Sequence, residues 1–216
     1  MENITKSAYL LIDMQNGFLD PSSPLCSTAA KATVPACART MDIARQKGIP
    51  VFIVHRRYRA DGSDVEAARH ALWSGGGRPL ASGSQSAEAP EALLPKPGDY
   101  TITKPRFSAF FGTELDLILR RLGVRTVILA GTATPNCIRT TCYDALSLDY
   151  NVVVLEDCCS ARTEIIQLVN MEDMKNVGAV LLPAADFAAY GPDTMPDAAK
   201  AIRDEIACRG VPPEVF

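Results

Sequence analysis

An acid, an amine and a thiol each follow a short apolar run in this chain. Asp13 comes directly after Tyr9-Leu10-Leu11-Ile12, and Lys104 directly after Tyr100-Thr101-Ile102-Thr103. Cys137 comes a short loop after the β-branched run Arg125 to Ala130 (RTVILA). Together these groups are sufficient for nucleophilic acyl chemistry. A thiolate attacks a carbonyl carbon, a carboxylate carries protons to and from the reacting atoms, and an ammonium keeps that carboxylate ionised. Around Cys137 the order Gly131-Thr132-Ala133-Thr134-Pro135-Asn136 reads as a strand end followed by a helix start. Thr134 suits the N-cap and Pro135 the first helical position, which needs no N–H. Cys137 then falls in the first turn, where free N–H groups and the helix dipole lower a thiol pKa. The same local sequence also suits a small buried cysteine with no chemistry. Asp13 alone could cap a loop and Lys104 alone could be solvated; three such groups at three strand ends make the chemical reading stronger.

The elements that position them follow from hydrophobic patterning. Apolar runs predict strands at Tyr9–Asp13, Pro50–His55, Tyr100–Thr103, Arg125–Ala130, Asn151–Glu156 and Gly178–Leu182. Helical spacing predicts helices at Val34–Lys47, Thr113–Arg121, Thr134 to about Leu148 and Thr163–Lys175, with one or two short helices in the Pro- and Ala-rich tail from Pro183. Strands alternating with helices imply right-handed crossovers, hence an α/β three-layer fold with a central parallel sheet of about six strands. Ligands of such sheets bind beyond the carboxyl ends of the strands, where strand order reverses. Residues 56–98, rich in Gly, Ser, Ala and Pro, read as a long irregular loop or an arm to a neighbouring subunit.

Bulk properties narrow the classes. With 216 residues, 47% of them hydrophobic, the chain is long enough for one sizeable domain spanning 1–216, with 183–216 packing on it. A net charge of −3 gives no electrostatic case for nucleic acid or an anionic membrane. No apolar run approaches the roughly 20 residues that cross a bilayer. Residues 1–7 lack a signal-peptide pattern, and seven cysteines without framework spacing predict free thiols in a reducing cytoplasm. Of these, Cys142, Cys158 and Cys159 read as structural.

Three motifs, LLIDMQNGF (10–18), TKPRFSAFFGTELDLILRRLGV (103–124) and LAGTATPNCIRTTCYDA (129–145), occur in that order. In them the chain resembles the isochorismatase-like cysteine hydrolases, which include nicotinamidases, N-carbamoylsarcosine amidohydrolases, ureidoacrylate and biuret hydrolases and isochorismatases. The resemblance runs from about Ser7 to Phe187. It implies a catalytic triad of Asp13, Lys104 and Cys137 and a cis peptide between Thr132 and Ala133. It also implies an oxyanion hole from the backbone N–H groups of Ala133 and Cys137, no cofactor, and assembly as a dimer or tetramer. The reaction it implies is hydrolysis of a small amide, ureido or carbamoyl compound through a thioester.

The chain departs from the family's metal-binding nicotinamidases. Their Asp-x-His pair after the second strand is replaced by His55-Arg56-Arg57-Tyr58-Arg59-Ala60-Asp61, and only His55 and His70 exist. No catalytic metal is therefore expected, and His55 is read as a hydrogen-bonded strand-end residue. Phe18, Arg57, Tyr58, Trp73, Arg106 and Phe107 are candidate pocket residues by position, each equally able to pack or face solvent. Tyr143 is expected to pack against the sheet or an interface. Two rival functions stand beside amide hydrolysis: vinyl-ether cleavage through Asp13 and Lys104 without the thiol, and a non-catalytic scaffolding role.

Overall fold

The computed structural model describes residues 6–209, apart from the side chains of residues 207 and 208. The expectations for residues 1–5 and 210–216 and for the Cys208 thiol lie outside the described residues. Six strands, β1 (Ser7–Ile12), β2 (Val51–Arg56), β3 (Tyr100–Lys104), β4 (Thr126–Thr132), β5 (Asn151–Ser160) and β6 (Val180–Leu182), form one sheet. The sheet is parallel throughout, in the order β3-β2-β1-β4-β5-β6. β1, β2 and β4 are buried along their whole length. Strands covered on both faces need apolar residues at successive positions, which is why these runs are unbroken in the sequence.

Among the described residues are eight α-helices: α1 (Asn16–Leu19), α2 (Ala30–Gln46), α3 (Ala67–Gly75), α4 (Leu115–Arg121), α5 (Arg139–Ser147), α6 (Glu164–Asn176), α7 (Ala184–Phe187) and α8 (Lys200–Arg209). Alternation along β1 divides the core. Ala8, Leu10 and Ile12 meet Leu115 and Leu119 of α4, Cys142 of α5 and Met174 of α6. Tyr9 and Leu11 meet Cys37 and Met41 of α2 and Phe187 of α7. α2 begins one turn before the expected Val34 and carries Pro35 inside it. Pro35 lies on an exposed flank, where water can serve the carbonyl its missing N–H leaves free.

Residues 56–98, expected to be irregular, contain α3 and two short 3₁₀ turns. They also have a core of their own, in which Tyr58, Val65, Trp73 and Leu80 pack with Phe18. Gln15, wholly buried, clips this arm to the sheet: its amide donates to the carbonyls of Arg56 (2.8 Å) and Ala87 (2.7 Å), while its oxygen accepts from Arg56 N–H at 2.7 Å.

Strand order reverses between β1 and β4, so the ends of these two strands flank the crevice. Gly131 makes their approach possible. Its φ is +124°, and a Cβ there would lie 2.0 Å from the Ile12 carbonyl oxygen. Beyond Leu129 the β4–β5 register shifts, and β4 finishes at Thr132 opposite Ser160. Ser160 Oγ donates to Thr132 Oγ1 at 2.9 Å, which fixes the end of β4.

Candidate active site

Asp13 continues β1 but leaves strand geometry at φ +55°. Strict alternation would put it on the Leu11 face; the left-handed backbone frees its side chain to reach Lys104 instead. Lys104 Nζ lies 2.9 Å from Asp13 Oδ2, with both side chains wholly buried. The same ammonium donates to Cys137 Sγ at 3.4 Å and to the Arg106 carbonyl at 3.0 Å. One amine therefore touches the acid and the thiol, and the three residues named from the strand ends meet in one cluster. The peptide between Thr132 and Ala133 is cis.

The turn bearing Cys137 differs from the expected one. Ala133, not Thr134, holds the N-cap position, with φ −94° and ψ 142°, and Pro135 falls one residue further in. The turn is wide: Ile138 N–H reaches the Ala133 carbonyl five residues back at 3.3 Å. Thr134 is used otherwise, its hydroxyl donating to Gln167 Oε1 of α6 at 2.8 Å. Gln167 in turn donates to the carbonyls of Glu156 and Cys159, each at 3.3 Å, so α6 holds the loop before Cys137.

The thiol pKa also departs from expectation. Burial pushes the Cys137 thiol up, and the Asp13 charge adds to the rise; Lys104 and Arg56 pull it down without prevailing. The local helix-start argument loses to two tertiary effects, complete desolvation and an adjacent carboxylate. A protonated thiol beside a carboxylate is arranged for proton transfer from sulfur to oxygen, which would release the nucleophile only when Asp13 accepts.

Arg56, not singled out in the sequence, is the largest fully buried side chain. It ends β2 as the register partner of Lys104 and so emerges on the same face. Its Nη1 pairs with Glu66 and donates to Tyr58 Oη at 3.1 Å, while its guanidinium stacks 5.3 Å from the Phe107 ring. Burial disfavours its charge, but Asp13, Cys137, Tyr58 and Glu66 together raise its pKa, so it stays cationic. Its position at a strand end was the one available signal, hidden in the run of three arginines at 56, 57 and 59.

A cavity of about 340 Å³ opens onto Cys137, bounded by Phe18, Leu25, Arg69, Leu72, Ala133, Asn136 and Ile166 among others. Of the six candidate pocket residues Phe18 is on this wall; the other five are not. Tyr58 and Trp73 build the arm's core: Tyr58 Oη donates to Glu66 at 2.7 Å and Trp73 Nε1 donates to the Pro79 carbonyl at 2.9 Å. Arg57, more than a third exposed, pairs with Glu88 at 3.5 Å. Arg106 Nη1 donates to the Asp64 carbonyl at 2.9 Å, tying the loop after β3 to the arm. Phe107 stands behind the wall, carrying Arg69 on its ring at 4.5 Å.

A larger depression of about 820 Å³, between α1, α2 and the arm, touches none of Asp13, Lys104 and Cys137. His55 is buried with Nδ1 unpartnered, so the expected hydrogen bond there is not made; burial, then the Arg57 charge, lowers its pKa. Tyr143 reaches across to α6, donating to Asp173 at 2.8 Å. Cys142, Cys158 and Cys159 are buried. No group of three His, Cys, Asp or Glu among the described residues could hold a metal ion. No described helix is long and apolar enough to cross a membrane.

Residues 7–186 match the sequence profile described as Isochorismatase domain. A probable inactive nicotinamidase of Arabidopsis thaliana is 42% identical over 82% of this chain and 92% of its own length. A ureidoacrylate amidohydrolase of Enterobacter is 32% identical over 84% of this chain and 87% of its own. The crystal structure of an isochorismatase family protein from Desulfovibrio vulgaris superposes with a TM-score of 0.82 at 44% identity, covering 86% of this chain and 97% of that one.

Proposed function

Because this chain belongs to the isochorismatase family, and its relatives include a ureidoacrylate amidohydrolase and a maleamate amidohydrolase, we propose that it is a cysteine amidohydrolase. It cleaves a C–N bond of a small amide, ureido or carbamoyl compound. The observation that carries this reading is the single ammonium of Lys104 touching both Asp13 and Cys137, with the Lys104 and Asp13 side chains wholly buried. Such an arrangement does nothing for packing that apolar residues would not do better.

In the proposed reaction Asp13 takes the proton of the Cys137 thiol, and sulfur attacks the substrate carbonyl carbon. The oxyanion is held by the N–H groups of Ala133 and Cys137, each such donor typically contributing about 3 kcal/mol. Asp13 returns its proton to the departing ammonia or amine as the C–N bond breaks, leaving a thioester. Water, giving a proton to Asp13, then hydrolyses the thioester, and that proton restores the thiol. Lys104 stabilises whichever of the two partners is anionic at each stage. No step calls for a cofactor.

The test is ammonia release from a panel of small amides, ureides and carbamoyl amino acids by native and Cys137→Ala protein. Release that disappears in the variant supports the reading; release that persists points to chemistry through Asp13 and Lys104 alone. The similarity to a probable inactive nicotinamidase favours a second, non-catalytic reading. Silence across the panel together with a Cys137 that no small alkylating reagent modifies would establish it.

A further inference from the structure

β2 brings a second buried cation to the reactive groups. Arg56 is the register partner of Lys104, so the two side chains leave neighbouring strands on the same face. Its backbone is fixed by the segment that follows Asp13: Gln15 accepts from the Arg56 N–H at 2.7 Å and donates to the Arg56 carbonyl at 2.8 Å. The guanidinium lies 5.3 Å from the Phe107 ring, 5.6 Å from the Tyr58 ring and against the Glu66 carboxylate. None of it reaches solvent. Among the described residues only Nη1 has hydrogen-bond acceptors, while Nε and Nη2 have none. Glu66 therefore meets one edge of the guanidinium, and the charge on the other edge is not cancelled.

Packing alone does not account for this residue. A buried ion pair is costly to desolvate, and apolar side chains of similar volume would hold the arm to β2 at least as well. The charge is directed at the reactive groups. Burial disfavours the cation, and of the groups that offset this Asp13 acts most strongly and Cys137 next, ahead of Tyr58 and Glu66. The interaction is reciprocal: burial and the Asp13 charge raise the Cys137 thiol, and Lys104 and then Arg56 oppose them. The remaining cations near the thiol, Arg69 and Arg162, stand on the cavity wall, half-buried and exposed respectively, where water screens them more.

We infer that Arg56 is a positioning residue for the reaction: its guanidinium, oriented by Glu66 of the arm, favours the negative charge as it moves from Asp13 to the Cys137 sulfur. Arg56 does not line the cavity over Cys137. Its effect is electrostatic and is carried through buried protein, where a charge acts more strongly than in water. Glu66 sets the strength, because pairing one edge of the guanidinium tempers the cation without cancelling it. The arm thereby bears on the nucleophile as well as on the cavity wall. The inference rests on the amidohydrolase reading for what the thiolate attacks, and not for how readily the thiolate forms.

The experiment follows labelling of Cys137 by iodoacetamide, an uncharged reagent, as a function of pH, with the modified residue located by peptide mass mapping. Position 56 is varied on a Glu66→Gln background, so that no variant leaves a carboxylate buried without its partner. Relative to Glu66→Gln alone, adding Arg56→Met should move the inflection up by about one pH unit and slow labelling below it about tenfold, a usual size for a nearby opposite charge. Adding Arg56→Lys instead should bring back most of the rate, because it keeps the charge. Glu66→Gln alone should move the inflection below that of the native protein, since the guanidinium loses its counter-charge. The opposed signs separate charge from structure: an arm that merely loosens admits water and lowers the inflection in every variant. A rate for Arg56→Met within about twofold of Glu66→Gln alone, or a lower inflection, overturns the inference. So does an Arg56→Lys that labels as slowly as Arg56→Met, or an inflection that rises in Glu66→Gln. Should Arg56→Met not fold, Arg56→Gln, which can still donate to Tyr58, is judged by the same outcomes. Absence of ammonia release with this charge effect intact would sink the amidohydrolase reading alone.

Discussion

Lys104 Nζ and Asp13 Oδ2 form an ion pair of 2.9 Å between side chains with no solvent exposure. Removing one member of a buried pair leaves an uncompensated charge, which costs about 3–5 kcal/mol. Lys104→Met is expected to lose about that much in urea unfolding, beyond its loss of activity. The double variant Asp13→Asn with Lys104→Met, which removes both charges of the pair, should recover part of the stability and none of the activity. A single Lys104→Met variant as stable as native would mean that water reaches the pair.

Cys137 gives an expectation of opposite sign to the usual reactive cysteine. Its thiol is pushed up by burial and by the Asp13 charge, so the pH profile of iodoacetamide labelling should inflect above the free-thiol range near 8.5. Asp13→Asn removes the second cause and should move the inflection to lower pH. Turnover should nevertheless fall by about 10² to 10⁴ in that variant, as expected for the loss of a general base. An inflection that moves upward would contradict the geometry.

The arm depends on Glu66, which neutralises Arg56 and accepts the Tyr58 hydroxyl. Burial works to raise the Glu66 pKa, but the Arg56 charge and the Tyr58 bond outweigh it, and the net shift is downward. Its stabilising effect is therefore complete above the unfolded value near 4.3 and is lost as pH falls through the lower native value. Native protein should show an acid-induced increase in proteolysis within residues 57–98 only below about pH 4. Glu66→Ala should show it at neutral pH, with a loss of about 3–5 kcal/mol.

Gly131→Ala tests the crevice itself. The added Cβ would meet the Ile12 carbonyl oxygen at 2.0 Å on a backbone with φ +124°. Because the obstacle is main chain in the neighbouring strand, no rotamer change relieves it. A destabilisation of about 3 kcal/mol or more is expected, or failure to fold. A thermal midpoint equal to native would mean that β1 and β4 separate more easily than their packing implies.

Strand positions were legible because a parallel sheet buried on both faces demands continuous apolar runs, and such runs stand out in sequence. Placing Asp13, Lys104 and Cys137 at one edge needed only those runs and the rule that strand order reverses at a crevice. The arm was illegible. Its core joins Phe18 to Tyr58, Val65, Trp73 and Leu80, residues with no shared period, so Tyr58 and Trp73 looked like pocket residues when they are packing.

The chain's order of residues by itself determined which groups reach the crevice, since each strand's end is fixed by where its apolar run stops. Only the tertiary structure decided how those groups behave. Charge and thiol pKa depend on burial and on neighbours distant in sequence: Asp13 beside Cys137 raises a thiol that the local helix start alone would have lowered.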